Sequence, residues 1–162
     1  MAAVDYFLKI DGIEGESQRD GHAGEIEVES FSWGESNAGA AAHGGGGAAG
    51  KVSMQDFHFT MRSGKASPKL LLACATGQHI KEAVLIGMRG GEKPQQFLKY
   101  RLTDVLVSSY QIAADPPNEE RPGDQLSLDF AKIELDYTPQ QPDGSPGAPV
   151  HFGFDLKSNR AV

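Results

Sequence analysis

Apolar residues recur at every second position along most of this chain, and in three stretches that alternation changes parity partway. Val4, Tyr6, Leu8 and Ile10 keep one register, the period of a strand with one face buried. Ile26 and Val28 are even-numbered, whereas Phe31 and Trp33 are odd. Val52 and Met54 give way to Phe57, Phe59 and Met61, and Leu126, Leu128 and Phe130 give way to Ile133, Leu135 and Tyr137. Strand side chains alternate faces, so a flip requires either a β-bulge or a second half that buries its other face. Both occur where strands turn corners in a barrel, and the second also where an outer face meets another subunit. The chain is therefore read as mostly β, with its 20 glycines punctuating strands rather than interrupting helices.

Strands are expected over about 4–10, 25–33, 52–61, 83–89, 97–112, 126–137 and 150–156. One helix is expected over 67–77, with Ser67 as N-cap, Pro68 at the first helical position and Gly77 as a left-handed stop. It is too short to stand alone, so Leu70, Leu71 and Leu72 are expected to pack on the sheet. Residues 37–51 form a long Gly/Ala-rich loop with almost nothing to bury, and such a segment in a compact domain is functional or disordered. A second loop, 114–124, is rich in proline and charge. No internal repeat or linker divides residues 1–162, so one domain is expected, long enough to bury roughly 70% of its unfolded surface.

The formal charge is −7 and the isoelectric point about 5.2. Nucleic acid binding rests on clustered Lys and Arg, and the 15 basic residues here are scattered, so no nucleic acid or anionic membrane partner is expected. The single cysteine, Cys74, forbids an intramolecular disulfide and suits a reducing compartment. There is no basic region followed by an apolar run at the N-terminus and no apolar stretch of membrane-spanning length, which reads as a cytoplasmic chain.

Catalytic, cofactor and metal motifs do not survive inspection. Gly45, Gly50 and Lys51 satisfy the phosphate-cradling G-x-x-x-x-G-K pattern, but Val52 stands where Ser or Thr is needed and a strand, not a helix, follows. His22, His43, His58, His79 and His151 lack metal-ligand spacing. Cys74 reads as a structural thiol in a helix. Asp129, Glu134 and Asp136 alternate with apolar residues as on a solvated strand face. Trp33 reads as core. No enzyme, cofactor or metal is expected.

Eight segments, in order along the chain, resemble the Hcp (haemolysin-coregulated protein) family. They are V-D-Y-F-L-K-I-D-G-I-E-G-E-S from Val4, H-A-G-E-I-E-V from His22, S-F-S-W-G from Ser30, and D-F-H-F-T from Asp56 after a glycine-rich loop. S-P-K-L-L-L-A-C-A-T-G from Ser67, L-T-D-V-L-V-S-S-Y from Leu102, L-D-F-A-K-I-E-L-D-Y-T-P-Q from Leu128 and G-F-D-L-K-S-N from Gly153 complete the set.

The resemblance implies a two-sheet β-barrel with one flanking helix, assembling as a hexameric ring. Such rings stack into the inner tube of the type VI secretion system, inside a contractile sheath and behind a spike protein, and carry effector proteins in the lumen. Export would then follow a cytoplasmic stage without a signal peptide. Carried onto this chain, the resemblance implies subunit or ring contacts from Asn37, His43, Gly44, Gly45, Gly46, Gly47, Gly50 and Lys51. Ser32, on the opposite face from Phe31 and Trp33, is the lumen and cargo candidate. The competing readings are a phage-like contractile tail tube subunit and, from another class, a small-molecule-binding β-barrel.

Overall fold

The computed structural model describes residues 3–38, 51–114 and 121–162. Strand β1 (Val4–Ile10) pairs with β2 (Ile26–Val28) on one side and β7 (Ile80–Arg89) on the other. Strand β7 continues to β8 (Gln95–Ala113) and β8 to β9 (Gly123–Tyr137). Beyond β9 lie β10 (Val150–Asp155) and β11 (Arg160–Ala161). A branch leaves the far half of β9 through β6 (Phe57–Arg62) to β3 (Ser30–Ser32). A separate two-stranded ribbon joins β4 (Glu35–Asn37) to β5 (Val52–Met54). All these pairings are antiparallel.

Each parity flip coincides with a change of partner. At Glu29 the chain leaves β1 for β6, and the Glu29 N–H donates to the Thr60 carbonyl at 2.8 Å. Gln55 and Asp56 separate β5, which belongs to the ribbon, from β6, which belongs to the main sheet. The third flip is the corner of the β8–β9 hairpin. Asp104 sits there with φ of 54°, a left-handed conformation that Asp tolerates better than most residues. In β8 the buried face passes from Leu102 to Val105 and Val107, and in β9 from Ile133 to Phe130 and Leu128. The Asp104 carboxylate accepts from His79 and Lys157, each at 3.0 Å. At the same level β9 exchanges β10, last paired at Lys132, for β6, first paired at Leu128.

The sheet does not close into the expected barrel. β2 is bonded to β1, β3 to β6, and no ladder joins β2 to β6. The circuit is completed at Glu29, where the covalent chain passes from β2 to β3 and the Glu29 N–H bonds to Thr60 on β6. Inside the curl lie Leu8, Phe57, Leu70, Leu128 and Ile133, all fully buried. Each contributes roughly 1.5–3 kcal/mol of hydrophobic stabilisation.

Helix α1 (Ala66–Thr76) begins one residue before its expected start, and Lys65, not Ser67, occupies the N-cap position. Ser67 is drawn into the first turn because its hydroxyl accepts from the Gly64 N–H at 3.0 Å and donates to Asp124 Oδ2 at 2.6 Å. Gly77 ends the helix in the left-handed conformation (φ 65°) as expected. Of the three leucines only Leu70 packs inward; Leu71 and Leu72 are exposed. Cys74 is half-buried.

Candidate functional site

Beyond the corner, β3, β6, β9 and β8 form a four-stranded sheet whose registers align in rows. Phe31, Phe59, Leu126 and Tyr110 make one row and face the core. The rows on either side face outward: Ser30, Thr60, Gln125 and Gln111, then Ser32, His58, Ser127 and Ser109. This outer face is therefore built from hydroxyls, amides and one imidazole. The same alternation that buries the aromatic and aliphatic side chains sends these polar ones outward.

The face is internally bonded. Ser30 Oγ and Thr60 Oγ1 lie 2.5 Å apart. Ser109 Oγ donates to Ser127 Oγ at 2.7 Å, and Ser127 Oγ lies 2.8 Å from His58 Nδ1. A bulge between Val107 and Ser109 frees Ser108 to donate to Asp56 Oδ2 at 2.6 Å. Asp56 and exposed Asp129 stand at one end of the face, and the Arg62–Glu29 pair (2.8 Å) at the other.

The Ser127–His58 contact has the two leading members of a nucleophile–base pair. Among the described residues, however, no carboxylate bonds to the other imidazole nitrogen to orient it, which the Ser-His-Asp arrangement needs. Nor do three His, Cys, Asp or Glu residues group as metal ligands among the described residues. His22 is stacked on Phe7 (4.5 Å) and paired with Glu25, and His79 and His151 are held by Asp104 and Asp136. Lys51 leads directly into β5, so no helix follows to present its N-terminus to a phosphate.

A cleft of about 620 Å³ opens between β2 and β6. Its rim is charged, with Arg19 on Asp5 (2.8 Å), Arg62 on Glu29 (2.8 Å) and Arg121 on Glu16 (3.4 Å). Apolar residues such as Ile26, Val28 and Met61 lie among these ion pairs, whereas small-molecule sites are lined predominantly by apolar and aromatic side chains with few polar groups.

Ser32 lies on the outward face, opposite Phe31 and Trp33, as its alternation requires. Trp33 packs against the core with its indole N–H on the Gln55 carbonyl at 2.9 Å. Asn37 pairs with Val52 in the ribbon and Lys51 is exposed beside it. His43, Gly44, Gly45, Gly46, Gly47 and Gly50 lie outside the described residues. Sequence reasoning considered His58 only as a metal ligand. The signal that places it was its even number beside Phe57 and Phe59.

Comparison with known proteins agrees with the geometry. Residues 7–137 match the family described as "Type VI secretion system effector, Hcp". The chain is 42% identical over 159 residues to protein hcp1 of Pseudomonas aeruginosa, covering 97% of this chain and 98% of that one. Among solved structures, a type six secretion system protein superposes with a TM-score of 0.92 at 30% identity, covering 99% of this chain and 100% of that one. Hcp1 of Salmonella typhimurium does so at 0.83 with 34% identity, each chain covered completely. The chain belongs to the Hcp family, the tube proteins of the type VI secretion system. Among the described residues no helix is long and apolar enough to cross a membrane.

Proposed function

We propose that six copies of this chain close into a ring whose hydroxyl-lined face surrounds the lumen, and that rings stack into a conduit that carries effector proteins. The observation that carries this reading is the pair of open edges flanking that face. Among the described residues, β3 is bonded only to β6, and β8 beyond Val105 only to β9. Strand β8 runs antiparallel to β9, β9 to β6 and β6 to β3. The β8 edge of one copy and the β3 edge of an identically oriented neighbour are therefore antiparallel and suited to pair. Such a head-to-tail contact closes a ring when its rotation closes, and it covers edges that would otherwise invite aggregation.

Residues 37–51 supply contacts between subunits or rings in this reading. An isolated two-stranded ribbon is marginal in water, and β4, exposed throughout, gains stability if a neighbour covers it. Spike and sheath proteins are the outer partners, the whole of 1–162 acts as one domain, and the conduit works without catalysis. The chain is cytoplasmic before it is expelled with the conduit.

Light scattering tests the reading. A species of six times 17.3 kDa, imaged as rings with an open centre, is expected; a stable monomer at high concentration removes its basis. Each copy carries −7, so stacking of rings should strengthen as salt screens their repulsion. Stacking that weakens with salt would count against a charge-limited contact between rings.

A further inference from the structure

We propose that Ser108, the extra residue of the β8 bulge, fixes where a neighbouring copy pairs with β8 and so lets the assembly close as a ring. The inference rests on the β8-to-β3 pairing proposed above, and it names the residue that selects one register for it. Beyond Val105 the open edge of β8 runs over residues 106–113, whereas β3 is only three residues long. A short strand on a longer edge has several registers to choose from, and those two residues apart keep the same faces inward. Alternation alone therefore does not pick one. A head-to-tail contact closes only when its rotation matches and otherwise grows as an open filament, so an unselected register is incompatible with rings of one size.

The bulge removes most of that choice. Val107 pairs with Leu128 and Ser109 with Ser127, the next residue of β9, so Ser108 has no counterpart. The extra residue brings Val107 and Tyr110 onto the same core-facing side, although strict alternation would set them on opposite faces. A bulge bends its strand, sharpens the twist and leaves a residue outside the ladder. A straight partner strand cannot cross it, and the stretch free to pair shrinks to residues 109–113. Ser108 is also anchored: its hydroxyl reaches over β9 and donates to Asp56 Oδ2 at 2.6 Å, a bond strengthened by the charge of its acceptor. Asp56 immediately precedes β6, the strand that carries β3. The stop on one closing edge is thus tied to the strand that holds the other.

Deleting Ser108 joins Val107 directly to Ser109 and keeps both pairs on β9, so the strand retains its faces and loses only the bulge. Folding is checked by circular dichroism and urea denaturation, assembly by light scattering and negative-stain imaging. The parent should give closed rings as the dominant species, and the deletion should leave them a minority among larger and open assemblies. Asp56→Ala keeps the bulge and removes its anchor; its rings should dissociate on dilution at a roughly tenfold higher concentration, in line with a hydrogen bond to a charged group. Asp129→Asn takes a charge from the same end of the face without touching the anchor and should behave as the parent. Closed rings of parental stability from the deletion, or folded monomers alone, overturn the inference. Where the deleted chain fails to fold, parental rings from Asp56→Ala, or an equal loss from Asp129→Asn, overturn it instead. A parent that stays monomeric faults the ring reading itself.

Discussion

Strands β8 and β9 carry two hydroxyl networks, one on each face of the same sheet. On the inner side Asp124 is fully buried and accepts from Ser63 Oγ (2.5 Å), Ser67 Oγ (2.6 Å) and the Tyr110 phenol. On the outer side, Ser109, Ser127 and His58 form the relay described above, ending in an exposed ring. The residue types are nearly the same, but the inner network centres on a fully buried carboxylate, whereas the outer one, although Ser127 is itself buried, has exposed Ser109 and His58 at its ends. Inside, every hydroxyl proton points at one carboxylate that has lost its water, so the network holds the end of β6, the first turn of α1 and the β8–β9 ladder together. Outside, the relay ends in solvent and leaves a nitrogen free to meet something else. Burial, not composition, separates a structural network from one available for recognition.

Removing the buried acceptor should therefore have the largest effect. Asp124→Ala leaves three hydroxyls without their acceptor and should lower unfolding stability by about 3 kcal/mol, since each unsatisfied buried group costs roughly 1–3 kcal/mol and some relaxation is expected. Urea denaturation should show a lower midpoint with an unchanged slope. A loss no greater than that of Ser127→Ala would erase the distinction between the two networks.

The phenol of the inner network sharpens the contrast through pH. Burial, reinforced by the Asp124 carboxylate, pushes the Tyr110 phenol well above its ordinary range. The folded state thus favours the neutral phenol more than the unfolded state does. Its contribution is fully present below the ordinary tyrosine value near 10 and is lost as pH rises through the higher folded value. Tyr110→Phe should lower stability at neutral pH and flatten its decline above pH 10. Parallel curves for the two proteins from pH 9 to 12 would show that Tyr110 does not drive the alkaline loss.

Ser127→Ala should cost about 1 kcal/mol or less, the net worth of an ordinary hydrogen bond, because its partners Ser109 and His58 can turn to water. A loss of several kcal/mol in the same urea experiment would make the outer relay as structural as the inner one.

Alternation carries information about which face a residue takes, and little about which strand will lie beside it. That is why the strands, the flips and the outward placement of Ser32 were legible, while the corners at Glu29 and between Phe130 and Ile133 could be located but not assigned to partners, and the matching corner at Asp104 was not seen. Glu29 passes the chain from β1 to β6 because Thr60, 31 positions later, accepts its N–H. Ser67 has every local mark of an N-cap, yet Asp124, 57 positions away, draws its hydroxyl into the first turn. Phe7 stands at a position that alternation assigns to solvent, but it is buried under His22. Asp124 itself, expected in a charged loop, begins a strand in the core. Each miss is a long-range contact overriding a sound local preference. His58 differs: local parity was enough to place it, and only its partner Ser127 needed the fold.

The smallest stability effect, and the most specific functional one, is expected at Ser32. Its side chain projects from edge strand β3 on the outer face, beside His58 in the same row and one strand further from Ser127. Gln in its place adds length toward solvent rather than into the core, so the unfolding free energy should stay within about 0.5 kcal/mol of the parent. The longer amide would nevertheless reach over His58 and crowd the path of anything passing along the face. Rings should persist by light scattering while retention of a lumen cargo, read by co-purification, falls. Loss of rings would move Ser32 from the cargo face to the β3 edge contact, and with it the boundary between recognition and assembly on this sheet.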